Sequence, residues 1–441
     1  MCGCVSNEQF EFYRREDKTD GAQRFAHGHI NCIISVDAQP TERIHLFQFL
    51  TGAITLYRRF LFCYIIITIG ALCLVAAINF VIDPSSIYLK KSLNDKYVDD
   101  YTNKLIFAKT GIKTFANERV VKMSLAGKIS KYDCIILGSS HVMSLSVITN
   151  SSSLKAMYPS VMNLGVSGGS FEDVLIFSHK ILQSGDLSGK TILIGIDPWF
   201  FKWNMDSRYG IYKDELGMMK KELHVPDDSI EPEAYKVKLM RNLINLNYFE
   251  KSIEFAQKTG LKKLYKELIP NNEFMDYNLV DVMNYDVGID YAVTLADGSH
   301  VYDRTYIKSS KTLASYIADV GYKLSGNFYD EDVIGIFKNL IELYQKNGAK
   351  VAFVLTPYHK CVFSAENEKN WSYLREVEKR TQSLATEGKI AIYGSYDPEK
   401  IGCTEDEFFD FMHPRRSCLA KIIFGQSSAD KGDAVRFLSL K

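Results

Sequence analysis

The chain has 441 residues, 46% of them hydrophobic, and its 53 Lys and Arg residues balance its 53 Asp and Glu residues. This length is enough for one large domain with insertions, or for two domains. Because the charges balance, no general basic field favours nucleic acid, and we set that class of partner aside. The nine cysteines form no Cys-x-x-Cys pair, so we expect no metal site, and no motif indicates a cofactor.

Residues 1–57 mix polar and apolar side chains without a clear period, and we interpret them as a solvated N-terminal tail. The next segment, 58–83, contains the charge-free run Leu61–Ile82. At about 1.5 Å per residue this run crosses a hydrocarbon core of about 30 Å, which predicts one transmembrane helix. The alternative is a buried core helix. The run is too long, and lies too far along the chain, for a usual cleavable signal peptide.

The basic residues that flank this run indicate its orientation. Arg58 and Arg59 abut it and, with Arg43, equal in number the lysines beyond it, which are Lys90, Lys91 and Lys96. The abutting pair feels the positive-inside bias most strongly, so we expect the tail in the cytoplasm and the larger part of the chain outside it. This predicts a single-pass protein of the plasma (inner) membrane with an extracytoplasmic domain.

Three cysteines, Cys361, Cys403 and Cys418, belong to the region that we expect outside the cytoplasm. In an oxidising compartment they could supply one disulfide. The alternative, in which all three stay reduced, is left open at this point.

After a connecting segment, 84–130, the pattern becomes α/β over 131–441. Five short apolar runs suit buried parallel strands: Tyr132–Leu137, Val161–Val166, Thr191–Ile196, Lys350–Leu355 and Lys389–Tyr393. Amphipathic runs between them predict helices over Ser170–Ser184, Asp330–Lys346 and Trp371–Glu387. Strands that alternate with helices predict a doubly wound, mostly parallel five-stranded sheet, whose functional site lies at the carboxyl ends of the strands.

Residues 200–329 interrupt this alternation, and we interpret them as an inserted helical and hairpin subdomain that shapes access to the site. The run Glu231–Leu268 has a helical pattern. The run Ala292–Tyr306 predicts a hairpin that turns at Asp297-Gly298.

A serine follows the first predicted strand, in Gly138-Ser139-Ser140-His141. At that place Ser140 is exposed at the edge of the sheet, and a helix starting near Val142 would offer free N–H groups to an oxyanion. The alternative is that Ser139 or Ser140 only caps that helix. After the second strand, Gly168 lets backbone N–H groups approach the same oxyanion, or it belongs to an ordinary tight turn.

Near the C-terminus, Asp410 precedes His413 by three residues. On a turn this spacing puts a carboxylate beside an imidazole, which can then take the proton of a serine. Together with Ser140, these residue types make up a nucleophilic acyl-transfer site. The alternative is a surface loop in which the spacing is incidental.

This set of motifs resembles the SGNH (GDSL-like) hydrolase superfamily over about 131–200 and 330–441. The resemblance implies an SGNH/flavodoxin-like sheet, with Ser140 as nucleophile, Gly168 as an oxyanion donor, His413 as base and Asp410 as the residue that orients it. Ser139 takes the place usually held by a supporting Asp. Where that family has Gly-x-Asn after the third strand, this chain has Gly195-Ile196-Asp197.

An ionised Asp197 would repel an oxyanion, so Asp197 must be protonated, another donor such as Asn204 or backbone must serve, or Asp197 only ends the strand. The run Pro198–Phe201 is similar to a narrower, membrane-anchored group, the D-alanine-transfer protein of teichoic acid systems and relatives of the alginate acetyltransferases. This similarity implies acyl transfer to a cell-surface glycan or envelope polymer, with a membrane-bound O-acyltransferase as partner.

Two other functions remain open: an esterase or deacetylase of the same substrates, and a non-catalytic surface-assembly protein with a decayed site. Candidate substrate-binding residues are His141, His359, Trp199 and Asn204. For His359 the alternative is an ordinary loop residue, and for the aromatic residues it is a place in the core.

Overall fold

The structure, a computed structural model, describes residues 40–83, 88, 110–113, 118–148, 152–203, 212–226, 233–259, 274–276, 293–295, 297–302, 329–364 and 368–425. The helices in these ranges are α1 Pro40–Ile82, α2 Glu118–Ala126, α3 Ser152–Met157, α4 Phe171–Gln183, α5 Lys213–Glu222, α6 Glu233–Leu243, α7 Leu246–Thr259, α8 Glu331–Lys346, α9 Glu368–Glu387, α10 Pro398–Ile401 and α11 Arg416–Leu419. The strands are β1 Thr110–Lys113, β2 Cys134–Leu137, β3 Val161–Asn163, β4 Thr191–Gly195, β5 Phe274–Asp276, β6 Val293–Thr294, β7 His300–Val301, β8 Lys350–Leu355 and β9 Ala391–Gly394.

Helix α1 contains the predicted transmembrane run. Its part Thr55–Ile82 is long and apolar enough to cross a membrane, and 11% of its most apolar window is buried. The tail predicted for residues 1–57 extends past the start of this helix, which already begins at Pro40. Proline is compatible with the first turn of a helix, and the residues between Pro40 and Tyr57 contain no further proline to stop it.

Five strands form an all-parallel sheet in the order β3-β2-β4-β8-β9. These are the five predicted strands, with β8 at its predicted bounds. Alternate residues of β2 belong to different cores, Ile135 and Leu137 to one and Cys134 and Ile136 to the other. Helices therefore cover both faces, with α2, α4, α8 and α9 contributing to the larger core and α3, α10 and α11 to the smaller one.

A second sheet of four antiparallel strands has the order β5-β1-β6-β7. It joins the connecting segment, 84–130, which supplies β1, to the insertion, which supplies β5, β6 and β7. The hairpin predicted at Asp297-Gly298 is confirmed, since Val293 pairs with Val301 and Gly298 has a φ of 76°. The predicted helical run Glu231–Leu268 forms α6 and α7. Its last part, residues 260–268, lies outside the described residues.

Candidate active site

The nucleophile candidate sits on a sharp turn after β2. Gly138 has a φ of 147°, and an added Cβ would lie 2.9 Å from Cγ2 of Val142, so a glycine is needed here. The turn carries Ser140 away from the sheet, at the point where β2 has β3 on one side and β4 on the other. In open α/β sheets, ligands bind at this reversal of strand order.

The helix expected to start near Val142 is absent from the described residues 138–148, which form a series of turns instead. The carbonyls that such a helix would bond internally have tertiary partners. Asn163 Nδ2 donates to the carbonyls of Val142 (2.7 Å) and Leu145 (2.9 Å), and the His300 N–H donates to that of Met143 (2.7 Å). Ser140 thus lies on a turn held from outside, and no helix N-terminus stands behind it.

Ser140, His413 and Asp410 form one chain of hydrogen bonds. Ser140 Oγ lies 2.9 Å from His413 Nε2, and His413 Nδ1 lies 2.7 Å from Asp410 Oδ2. The contact predicted between Ser140 and His413 is confirmed. Because Nδ1 carries the proton donated to the carboxylate, Nε2 is left to accept the proton of the Ser140 hydroxyl.

The surroundings of the pair shift both pKa values toward the charged forms. Burial alone would raise the pKa of Asp410, but the His413 charge, the bond to its ring and two backbone N–H bonds at 2.8 Å hold it well below its usual value. Burial alone would lower the pKa of His413, yet the charge and hydrogen bond of Asp410 and the charge of Asp197 raise it above 6.5. The charged form of His413 is therefore stabilised.

The loop that carries His413 is closed at both ends. Cys403 and Cys418 form a disulfide with Cα atoms 5.2 Å apart, and the buried Cys361 takes no part in it, so of the two alternatives for these cysteines the structure has the one with a disulfide. Within the loop the Phe409 N–H donates to the His413 carbonyl (2.9 Å). The sequence offered no signal for this pairing, because which cysteines meet depends on the fold of the whole segment.

His359 is bonded to the loop that carries His413. Its N–H donates to the Phe411 carbonyl (3.1 Å), and its ring Nδ1 accepts the Cys361 N–H (3.1 Å). Burial, and then the neighbouring charge of Lys360, lower its pKa below 6.5. At 1% exposure it caps a turn, which matches the loop-residue alternative better than substrate contact.

The second loop, after β3, comes close to the nucleophile turn. Gly168 has a φ of 56°, and an added Cβ on Gly169 would lie 2.6 Å from the Gly138 oxygen. Within the described part of the chain, neither the Gly168 N–H nor the Ser140 N–H donates a hydrogen bond. These two backbone donors are therefore available to an oxyanion.

Helix α2 holds this loop, which the sequence analysis did not foresee. Glu118 accepts the Ser167 N–H (2.6 Å), and Arg119 makes two 2.7 Å bonds to Asp173 at the start of α4. Lys122 donates to the Asn163 carbonyl (2.7 Å) and to that of Gly298, and burial lowers its pKa to about 8. The contacts join residues at least 41 positions apart, so no local pattern predicts them.

The buried Asp197 carboxylate has a histidine as its partner. Its Oδ1 lies 2.5 Å from Nδ1 of His141, and both side chains are buried. The Tyr358 hydroxyl lies 3.3 Å from the same nitrogen, and the rings of Trp199 and His413 pack against the imidazole. The carboxylate is thus paired with a histidine, a possibility that the sequence analysis did not weigh.

His141 itself is 2% exposed, and its Nε2 makes no hydrogen bond with any described residue. The ring centroids of His141 and His413 are 5.2 Å apart, so this nitrogen lies in the immediate surroundings of the base. Of the other candidates, Ser139 is buried and accepts the His141 N–H (3.2 Å). Trp199 donates to the Gly169 carbonyl (3.1 Å), and Asn204 lies outside the described residues.

No model of a protein family matches this chain, and no curated protein matches its sequence. Among the described residues, no group of three or more His, Cys, Asp or Glu side chains is placed to hold a metal ion. The hydrogen-bonded chain from Ser140 to Asp410 is the chemically most specific feature of the site.

Proposed function

We propose that the protein is a membrane-anchored serine acyl-transfer enzyme of the SGNH type. The single observation that carries this proposal is the line of hydrogen bonds from Ser140 through His413 to Asp410 at the carboxyl edge of the parallel sheet. A nucleophile bonded to a base that a third group orients is the arrangement that covalent acyl transfer needs.

In this reaction His413 Nε2 takes the hydroxyl proton of Ser140 while the serine oxygen attacks the carbonyl carbon of an ester. The bond to the leaving alcohol breaks, and that alcohol receives the proton from His413, which leaves an acyl-serine. An acceptor hydroxyl then gives its proton to His413 and attacks the acyl-serine. The bond to Ser140 breaks, and His413 returns the proton to the serine oxygen.

Backbone N–H groups of Ser140 and Gly168 are the proposed oxyanion donors, since no described partner occupies them. The buried Nε2 of His141 is a third group available to a substrate oxygen. With Nδ1 bonded to Asp197, this nitrogen is a donor only if the ring is protonated; otherwise it is an acceptor. The pairing favours an intact site over the decayed surface-assembly alternative.

We place α1 across the plasma (inner) membrane once, with the N-terminus in the cytoplasm and the α/β domain outside. Arg58 and Arg59 at the start of the apolar run support this orientation. The Cys403–Cys418 disulfide supports it independently, because disulfides persist in oxidising compartments.

The acceptor that we propose is a hydroxyl of a cell-surface glycan or envelope polymer, and the acyl donor would come from a membrane-bound O-acyltransferase. Both rest on the resemblance to the membrane-anchored SGNH branch. With water as acceptor the same acyl-serine gives an esterase or deacetylase, which is the second candidate.

A fluorophosphonate probe on the full chain in membranes tests the serine chemistry. We expect covalent labelling that Ser140→Ala abolishes and Ser139→Ala only weakens, because Ser139 supports the His141 N–H without facing His413. Loss of labelling in Ser139→Ala alone would show that the nucleophile is the neighbouring serine. No labelling of the folded wild-type chain would favour the surface-assembly alternative.

A further inference from the structure

Exposed apolar side chains occur on α6, in the turn after it and at the first residue of α7. Val237, Met240 and Ile244 are 49%, 68% and 49% exposed, and Leu246 is 70% exposed. Val237 and Met240 are three residues apart, which puts them on one face of α6, and Ile244 follows directly after the helix ends. Arg241, also exposed, follows Met240. We call these four apolar side chains the α6 patch.

The turn between α6 and α7 is bonded to the last turn of α1. Asn79 Nδ2 donates to the carbonyls of Leu243 (2.7 Å) and Asn245 (3.3 Å), and the Ser252 hydroxyl donates to Asn79 Oδ1 (3.0 Å). The Tyr248 hydroxyl donates to Asp83 Oδ1 (2.7 Å) just after α1 ends. The α6 patch therefore lies at the level of the C-terminal end of α1.

With α1 across a bilayer, as proposed above, this level would coincide with the edge of the hydrocarbon core. From Leu61, the first residue of the charge-free run, to Asn79 the helix rises by about 27 Å at about 1.5 Å per residue, against a core of about 30 Å. An amide side chain at that depth finds no partner in lipid, so its bonds must come from protein. The buried Asn79, satisfied by α6–α7 and Ser252, fits a position at this boundary.

We propose that the α6 patch inserts into the bilayer beside α1, at the boundary between acyl chains and headgroups in the leaflet outside the cytoplasm. The proposal rests on the proposed membrane placement of α1. An apolar patch next to an exposed arginine is the composition of an interfacial helix. Tyr88 and Tyr248 pack edge to face at the end of α1, with their ring centroids 6.4 Å apart, and help to hold α6 and α7 there.

We infer that lipid covers the α6 patch, because the hydrogen bonds to Asn79 and Asp83 hold the patch beside α1. An apolar patch held at this level beside a transmembrane helix meets acyl chains before it meets any soluble partner. Insertion would add a second membrane contact to α1 and restrict rotation of the α/β domain about the helix axis. The acyl-transfer site would then keep a constant orientation toward the membrane surface.

Depth-dependent fluorescence quenching in proteoliposomes tests this inference on the full chain. Cys2, Cys4, Cys32, Cys63 and Cys73 are replaced by alanine, while the buried Cys134 and Cys361 and the disulfide stay in place. Met240→Cys then carries an environment-sensitive fluorophore. The matched control is Met218→Cys on α5, a methionine that is 48% exposed. A third chain keeps Cys73 as the only labelled site and reports on the span.

We expect lipids that carry a quencher near the headgroup to remove most of the emission of the fluorophore at position 240. Lipids that carry the quencher deep in the acyl chain should remove less of it. The label at Cys73 should respond more to the deep quencher, and the label at position 218 to neither. Thermal unfolding that matches the parent chain verifies folding of each variant.

Each other outcome overturns the proposal in a distinguishable way. If Cys73 is quenched and position 240 is not, α1 spans the bilayer but the α6 patch lies outside it. If the emission of the fluorophore at position 240 shifts to the blue only at high protein density, a second copy of the chain covers the α6 patch. If Cys73 is not quenched either, the membrane placement of α1 fails and the inference fails with it. The quenching experiment does not depend on fluorophosphonate labelling, so a failure of the proposed serine chemistry would be a separate result.

Discussion

The imidazole of His413 is subject to opposing influences, which decide at what pH it can act as a base. Burial favours its neutral form, whereas Asp410 and, more weakly, Asp197 favour the charged form and raise its pKa above 6.5. The neutral form accepts the Ser140 proton, so the reaction rate should rise with pH through the pKa of His413.

We expect the acid limb of the fluorophosphonate labelling rate to have its midpoint above pH 6.5 in the wild-type chain. Asp197→Asn removes a charge that stabilises the imidazolium, so the pKa of His413 falls and the limb moves to lower pH. The matched control is Asp186→Asn, a carboxylate bonded to Ser188 in an exposed turn, which should leave the limb in place. A limb that moves upward in Asp197→Asn would contradict the assigned coupling.

Asp410→Asn should lower the labelling rate by about 10³ to 10⁴-fold, because an amide no longer fixes the Nδ1 proton of His413 or stabilises the imidazolium. The asparagine oxygen can keep the bonds from the Met412 and His413 N–H groups, so the loop should stay folded. Asp406→Asn in the same loop, whose carboxylate bonds the exposed Thr404 hydroxyl, is the control and should lose little. Equal losses in both variants would mean that the loop, not the triad, was damaged.

At the scale of elements, the site depends on two loops that other parts of the chain hold in place. One is the Cys403–Cys418 segment that carries Asp410 and His413, and the other is the turn after β3 beside Gly138. Each can be weakened by a change that leaves the three triad side chains themselves untouched.

Loss of the disulfide should cost about 3 kcal/mol of unfolding free energy, the value expected for a closed loop of about 15 residues. Cys418→Ser should therefore lower the thermal midpoint and the labelling rate together. Reductant provides the internal control, since it should destabilise the wild-type chain and leave Cys418→Ser unchanged. Reductant that destabilises both equally would show that this disulfide is not the cause.

Gly169→Ala should reduce labelling and destabilise the domain by about 1 to 3 kcal/mol, the usual range for overpacking. Its Cβ would lie 2.6 Å from the Gly138 oxygen and 2.9 Å from Ser139 Cα, both backbone atoms that cannot turn away. The turn after β3 must then move away from the turn that carries Ser140. Gly217→Ala on α5, where the added Cβ meets nothing within 4 Å, should instead stabilise slightly. Wild-type labelling in Gly169→Ala would refute the close packing of the two turns.

At the scale of the whole molecule, function requires that the α/β domain and its substrates share a compartment. We expect a reporter that is active only after export to be active when fused after residue 100, because the preceding α1 would have crossed the membrane. The same reporter fused after residue 57, before the charge-free run, should be inactive. Activity of a cytoplasm-only reporter at residue 100 would reverse the proposed topology.

The sequence alone determined those helices and strands whose caps or apolar runs lie within a few neighbouring residues. Ser170 and Asp173 form the capping box that starts α4, and Asp330 caps α8 through the N–H groups of Asp332 and Val333. Lys350–Leu355 is apolar and follows a helix stop, and it forms β8 at those bounds. The strand-end serine and the Asp-x-x-His spacing likewise predicted which three side chains meet.

Only the tertiary structure decided what those elements meet. Strand β1 pairs with β5 and β6, which lie far along the chain. Its four residues are too few to show a strand pattern by themselves, so the sequence did not predict it. Turns stand after Ser140 where a helix was expected, and there Asn163 and His300 bond the carbonyls of Val142, Leu145 and Met143. Asp197 pairs with His141, and Cys403 pairs with Cys418. No local pattern predicts either pairing, because contacts between distant residues follow from the packing of the whole chain.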